Sequence, residues 1–259
     1  MYRRIALFGW LVAIGTTCLQ GQVNFTGTYH EDFDGLGPSG RTYPDGWNGV
    51  RWSGIGVLGE ELELGVTTGT TRSGGIFNVG SDGDADRALG SLSSGSTVPL
   101  FGVRFVNATD QSIEELWLGG AMEQWRTAND DSVDELLRFE YSLDASSVYD
   151  PAASWLVWPE FDLPEALTDS TGGSAVDGNQ SENRLILSGV LTGIEWNPTE
   201  ALTIRWSDSN DAGSDGLYAL DDFSLRRPVA SVPEPSVHAL FGITAIGMLA
   251  FRFRQRKQT

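Results

Sequence analysis

Cys18 is the single cysteine among 259 residues, and it lies close to the N-terminus. A disulfide framework, a thiolate nucleophile and a cysteine metal site are therefore excluded for the body of the chain. Histidine is almost as scarce. Between residues 22 and 231 only His30 is present, so His-rich metal sites are excluded, and a Ser-His-Asp set would have to use it. No Gly-x-Ser-x-Gly elbow accompanies it. Gly37-Pro38-Ser39-Gly40 lacks the lysine and the spacing of a phosphate loop. Positive charge is short as well: residues 22–231 hold 34 acidic residues against 11 basic ones, all arginine, a formal charge of −23. Such a surface repels nucleic-acid phosphates and anionic headgroups, and it invites divalent cations. No nucleic acid is expected as a partner.

Long apolar runs occur only at the two ends. Met1-Tyr2-Arg3-Arg4 is a positive n-region, Ile5 to Ile14 is apolar, and a small, polar approach to a cleavage site follows. Residues 1–21 are thus expected to be a signal peptide. At the other end, Val232-Pro233-Glu234-Pro235-Ser236 precedes an apolar run over 237–251 and a basic stop containing Arg252, Arg254, Arg256 and Lys257. Fifteen helical residues rise only about 22 Å, short of a bilayer's roughly 30 Å hydrocarbon core, so spanning would require snorkelling or local thinning. The basic residues belong on the cytoplasmic side. These three parts, in this order, resemble the PEP-CTERM sorting signal of Gram-negative bacteria. The resemblance implies that residues 232–259 hold an exported protein in the inner membrane through a C-terminal helix. An exosortase-type transpeptidase would then pass it to the cell surface or extracellular matrix.

Residues 22–231 are long enough for one domain with a full core. Phe101, Val103 and Phe105 alternate with Gly102, Arg104 and Val106; Leu137, Phe139 and Tyr141 and then Leu202, Ile204 and Trp206 repeat the pattern. A period of two marks half-buried antiparallel strands. Further candidates are 29–33, 57–64, 75–79, 113–118, 184–190 and 217–225, separated by turns such as Pro44-Asp45-Gly46 and Asp177-Gly178-Asn179. Helical periodicity is absent apart from one turn over 132–137. The expected fold is all-β, a two-sheet antiparallel jelly-roll sandwich flanked by the two terminal helices.

Glu31-Asp32-Phe33-Asp34-Gly35 opens this domain, and Leu220-Asp221-Asp222-Phe223 closes it. With the intervening Gly80–Gly90, Glu123–Arg126 and Arg205–Asp208 segments, the order resembles jelly-roll modules of the concanavalin-like and carbohydrate-binding kind. The resemblance implies that the first and last strands are neighbours. That would bring Glu31, Asp32 and Asp34 to Asp221 and Asp222, a set suited to a structural Ca²⁺; the alternative is an acidic edge strand facing water. Asp82-Gly83-Asp84-Ala85-Asp86 looks like the front of a calcium loop but has its glycine misplaced and lacks the closing Glu, so an ordinary acidic hairpin loop is the alternative. The acidic turn 208–215 is a third candidate, with a solvated connection as its alternative. Eight tryptophans follow Trp10. Among them Trp125, beside Glu123, Gln124 and Arg126, is the candidate sugar platform, with core packing as the alternative for any one of them. The resulting reading is a non-catalytic protein associated with exopolysaccharide. Its rivals are a glycan-degrading enzyme of concanavalin-like fold and a purely structural surface component.

Overall fold

The computed structural model describes residues 21–228. Its strands are β1 (Val23–Phe25), β2 (Thr28–Glu31), β3 (Trp47–Gly54), β4 (Leu64–Thr67), β5 (Gly75–Val79), β6 (Ala88–Leu92), β7 (Thr97–Asn107), β8 (Ile113–Arg126), β9 (Leu136–Ser142), β10 (Leu156–Val157), β11 (Leu163–Pro164), β12 (Arg184–Trp196), β13 (Ala201–Ser207) and β14 (Leu217–Arg226). They form two seven-stranded sheets. One runs β1-β7-β13-β9-β10, with β3 also on β7 and β11 on β9; the other runs β12-β8-β14-β6-β5-β4, with β2 on β14. The protein is an all-β, two-sheet sandwich. It is not wholly antiparallel, because β1 lies parallel to β7 and β4 parallel to β5.

The alternating strands put their aromatic residues between the sheets. Trp206 is fully buried, stacked on Phe101 at 5.4 Å and edge-on to Phe139 at 5.3 Å and Phe223 at 5.8 Å. Its indole N–H donates to Phe161 O at 3.1 Å, so the ring enters the core with its polar atom satisfied. Residues 57–63 do not form the expected strand. Gly54 and Gly56, just before them, and Gly59 within them all have positive φ, and Ile55, Val57 and Leu58 stand out in solvent.

The terminal helices over 1–21 and 237–251, the sorting motif and the basic stop fall outside the described residues, apart from Gly21. The expected localisation, with an exported protein anchored in the inner membrane and then passed to surface or matrix, is corrected. Among the described residues no helix is long and apolar enough to cross a membrane. The helices present there are single 3-10 turns at Asp34–Leu36, Pro159–Phe161 and Ser181–Asn183.

Candidate functional sites

β2 and β14 pair antiparallel, with Glu31 opposite Phe223. Two non-glycine residues with positive φ then shape one acidic pocket. Phe33, fully buried, turns the chain after β2 at φ 57 and swings Asp34 round. Asp222, at φ 51, forms a bulge where the β14–β8 register shifts between Asp221 and Ser224, so that Asp221 and Asp222 both reach the same hollow. The pocket holds about 320 Å³ and is lined by Asp32, Asp34, Asp86, Glu123, Asn179, Arg184, Asp221 and Asp222. It unites the two ends of the domain with the Asp82–Asp86 loop. Glu31 stays out: its carboxylate accepts the Phe33 amide at 3.0 Å and the Tyr29 hydroxyl at 3.4 Å, bracing the turn.

Six carboxylates here face one guanidinium. Arg184 lies 3.1 Å from Glu123, 3.3 Å from Asp221 and 2.7 Å from Asp222. Burial, then the charges of Glu123 and Asp222, push the Asp221 carboxyl up to about 8. Burial also raises Glu123, although the Trp125 indole N–H donates to it at 2.9 Å and Arg184 opposes the shift. Asp86 is raised by burial and by Asp34 and Asp84. Asn179 donates to Asp86 at 2.8 Å, leaving its own buried Oδ1 without a donor. Carboxylates plus a free amide oxygen are the donor chemistry of a hard cation such as Ca²⁺. The pocket is nevertheless wider than a closed cage. Among the described residues the group of three carboxylates with ligand atoms within 4.8 Å of one another is Glu135, Asp211 and Asp215. There Glu135 accepts the Gly216 amide at 2.8 Å and the Tyr218 hydroxyl at 2.9 Å, tying down the loop before β14.

The four residues Glu123, Gln124, Trp125 and Arg126 do not make an exposed platform. Alternation along β8 puts Glu123 and Trp125 on one face and Gln124 and Arg126 on the other. Glu123 joins the acidic pocket, while Trp125 is 1% exposed in a satellite core with Phe77, Val79, Leu92 and Leu217. Gln124 is fully buried and accepts the Ala166 and Leu167 amides at 3.0 and 2.8 Å. Arg126 is buried in a separate hollow. The sequence marks Trp125 as polar-flanked, but Gln124 and Arg126 point to the other face, and Glu123 accepts the indole N–H in a buried contact at 2.9 Å.

A larger cleft, about 940 Å³, opens beside β3 and the β3–β4 loop. Its aromatic walls are Tyr43, whose hydroxyl donates to Leu62 O at 2.8 Å, and Tyr149. Both rings lie over glycines: a Cβ at Gly49 would come 2.5 Å from the Tyr43 oxygen, and one at Gly59 would come 2.4 Å from the Tyr149 ring. Glu61 and Glu63 are exposed on the rim, and Asn48 presents a buried Oδ1 with no hydrogen-bond partner. The aromatic surface continues outward. Trp52 meets Tyr149 edge-on at 5.9 Å, and the Arg205 guanidinium lies 4.9 Å from the Trp52 ring and 3.5 Å from that of Trp155. Glu140, 2.8 Å away, neutralises Arg205 and holds it between the rings. Neither tyrosine stands out in the sequence. The signal that could have found them is the glycine each covers, visible only once the strands are paired.

No protein-family model matches this chain, and no curated protein matches it. Solved structures do. The K2 cleaved adhesin domain of Lys-gingipain is 10% identical over 78% of this chain and 98% of that one, with a TM-score of 0.42. The K3 adhesin domain of the Lys-gingipain of Porphyromonas gingivalis is 14% identical over 76% and 97%, at 0.41. A xylan-binding module is 11% identical over 79% and 98%, at 0.36.

Proposed function

We propose that this protein is a non-catalytic glycan-binding sandwich that takes a polysaccharide, an exopolysaccharide in particular, in the cleft beside β3. The observation that carries the reading is the cleft's lining: Tyr149 lies against Gly59 and Trp52, and the partnerless side-chain oxygen of Asn48 lines the same cleft. Sugar rings offer flat C–H faces to such aromatic surfaces and hydroxyl donors to such an oxygen. Glu61 and Glu63 accept further hydroxyls, and the cleft's volume accommodates several sugar units. The acidic pocket is proposed as a structural Ca²⁺ site that holds the two ends of the domain together. The order of the Val232–Ser236 element, apolar run and basic stop supports recognition of that segment by an exosortase-type enzyme, testable from the intact mass of the mature chain.

A glycan array followed by titration calorimetry tests the main reading. Tyr149→Ala and Asn48→Ala should each weaken the selected glycan at least about tenfold, the effect of roughly 1.4 kcal/mol, with melting temperatures unchanged. If the protein instead released reducing ends from that glycan, and Glu61→Gln or Glu63→Gln abolished the release, the hydrolase reading would replace this one.

A further inference from the structure

Arg126 is the odd member among the buried arginines. Arg87 faces Asp34, Asp84 and Asp86; Arg205 is paired with Glu140; half-buried Arg184 holds three carboxylates. Arg126 is 4% exposed, yet among the described residues no carboxylate forms an ion pair with it. Its guanidinium donates to two backbone carbonyls, Gly69 O at 3.4 Å and Gly173 O. Burial lowers its proton affinity, and the positive charge of Arg72, on the same hollow, lowers it further. In a domain where acids outnumber bases threefold, two arginines have been brought together and, among the described residues, neither is ion-paired to a carboxylate. Leaving a guanidinium buried and unneutralised is costly, and a second positive charge beside it raises the cost.

Both arginines line a hollow of about 130 Å³ at one end of the sandwich, with Ser93, Ser94, Asn210 and Asp215 around it. Asp215 is the one carboxylate in the lining, and its Oδ1 is engaged elsewhere: it accepts the Asp211 amide at 3.0 Å, and the carboxylate belongs to the group with Glu135. We propose that this hollow is an oxyanion site, in which Arg72 and Arg126 receive a carboxylate or sulfate group. Planar guanidinium forks match both groups, and the space admits a substituent of that size but not a sugar ring chain. The site is separate from the aromatic cleft and stands or falls independently of it.

The test is calorimetric titration of the full protein with inorganic sulfate, galacturonate and a galacturonate oligomer, at ionic strength matched with sodium chloride. Saturable binding of sulfate or galacturonate is expected, weakened at least about tenfold in Arg72→Ala and in Arg126→Gln and unchanged in Asn48→Ala. Arg72 is exposed, so Arg72→Ala reports even where Arg126→Gln fails to fold. Tighter binding of the oligomer than of the monomer assigns the anion to a polysaccharide substituent; equal binding assigns it to a free anion. Heats no larger than those of chloride alone, or affinity retained in Arg72→Ala, overturn the proposal.

Discussion

Arg184 stands directly opposite Glu123 in the β12–β8 ladder, its Nε 3.1 Å from a carboxylate that is almost wholly buried. The same guanidinium reaches the β14 bulge, so three strands converge on one cation. Arg184→Met should lower stability by about 2 kcal/mol at neutral pH, below the full value of a buried pair because Arg184 is itself partly exposed. The loss should grow at pH 9, above the Asp221 value of about 8, because at neutral pH Asp221 already holds its proton. Millimolar Ca²⁺ should raise the melting temperature of this variant more than that of the wild type, and EDTA should reverse the gain. An equal, small response in both proteins would mean that the acids bind no specific ion.

Stability should fall as pH rises. Burial pushes Asp208 and Asp221 up to about 8, Glu135 to about 7 and Asp215 to about 6. A carboxyl whose folded value exceeds its unfolded one keeps its proton longer in the native state. Its contribution is complete below about pH 4 and is lost as pH climbs through 6 to 8. Asp130, Asp144 and Asp150 are lowered by hydrogen bonds from serine, but they sit at the surface and counter little. Calorimetry in EDTA should therefore give a melting temperature at least about 3 °C higher at pH 5.5 than at pH 8.5. A maximum at the alkaline end would contradict the buried-acid account.

Trp125 is a core residue, and its replacement should behave as one. Trp125→Ala should cost about 3–5 kcal/mol, the range for a large buried ring, while glycan affinity of the folded fraction stays at the wild-type value. A selective loss of affinity with stability intact would restore Trp125 as a platform.

Gly69, which follows β4, ties this satellite core to the loop beside it. Its φ is +83, and a Cβ there would stand 1.9 Å from the Trp125 carbonyl oxygen, a backbone atom that cannot swing aside. Gly69→Ala should cost more than about 2 kcal/mol, combining left-handed strain with the clash. Chemical denaturation measures it directly.

The sheet-forming strands were legible where alternation is strict. Leu202, Ile204 and Trp206 of β13 lie between Phe101, Val103 and Phe105 of β7 and Phe139 and Tyr141 of β9, and all point inward. The meeting of Asp32 and Asp34 with Asp221 and Asp222 followed from the resemblance to jelly rolls, since it depends on long-range pairing that composition does not encode. Arg184, Asp86 and Asn179 were missed as members of that pocket because each comes from a different loop or strand end. Residues 57–63 misled because Val57, Leu58 and Leu62 among glutamates imitate a strand, whereas positive φ at Gly56 and Gly59 breaks the ladder. Trp125 misled for another reason: Gln124 and Arg126 point to the other face, and the polar Glu123 on its own face satisfies the indole N–H inside the protein rather than marking an exposed platform.

The glycan reading rests on the rim of the β3 cleft, and one titration addresses it most directly. The best glycan from the array should be titrated into the wild type, Tyr149→Ala and Trp125→Phe. Loss of at least about tenfold in affinity with Tyr149→Ala alone, all three proteins being folded, is the expected result. Wild-type affinity in Tyr149→Ala, or no glycan bound by the wild type, would contradict the account.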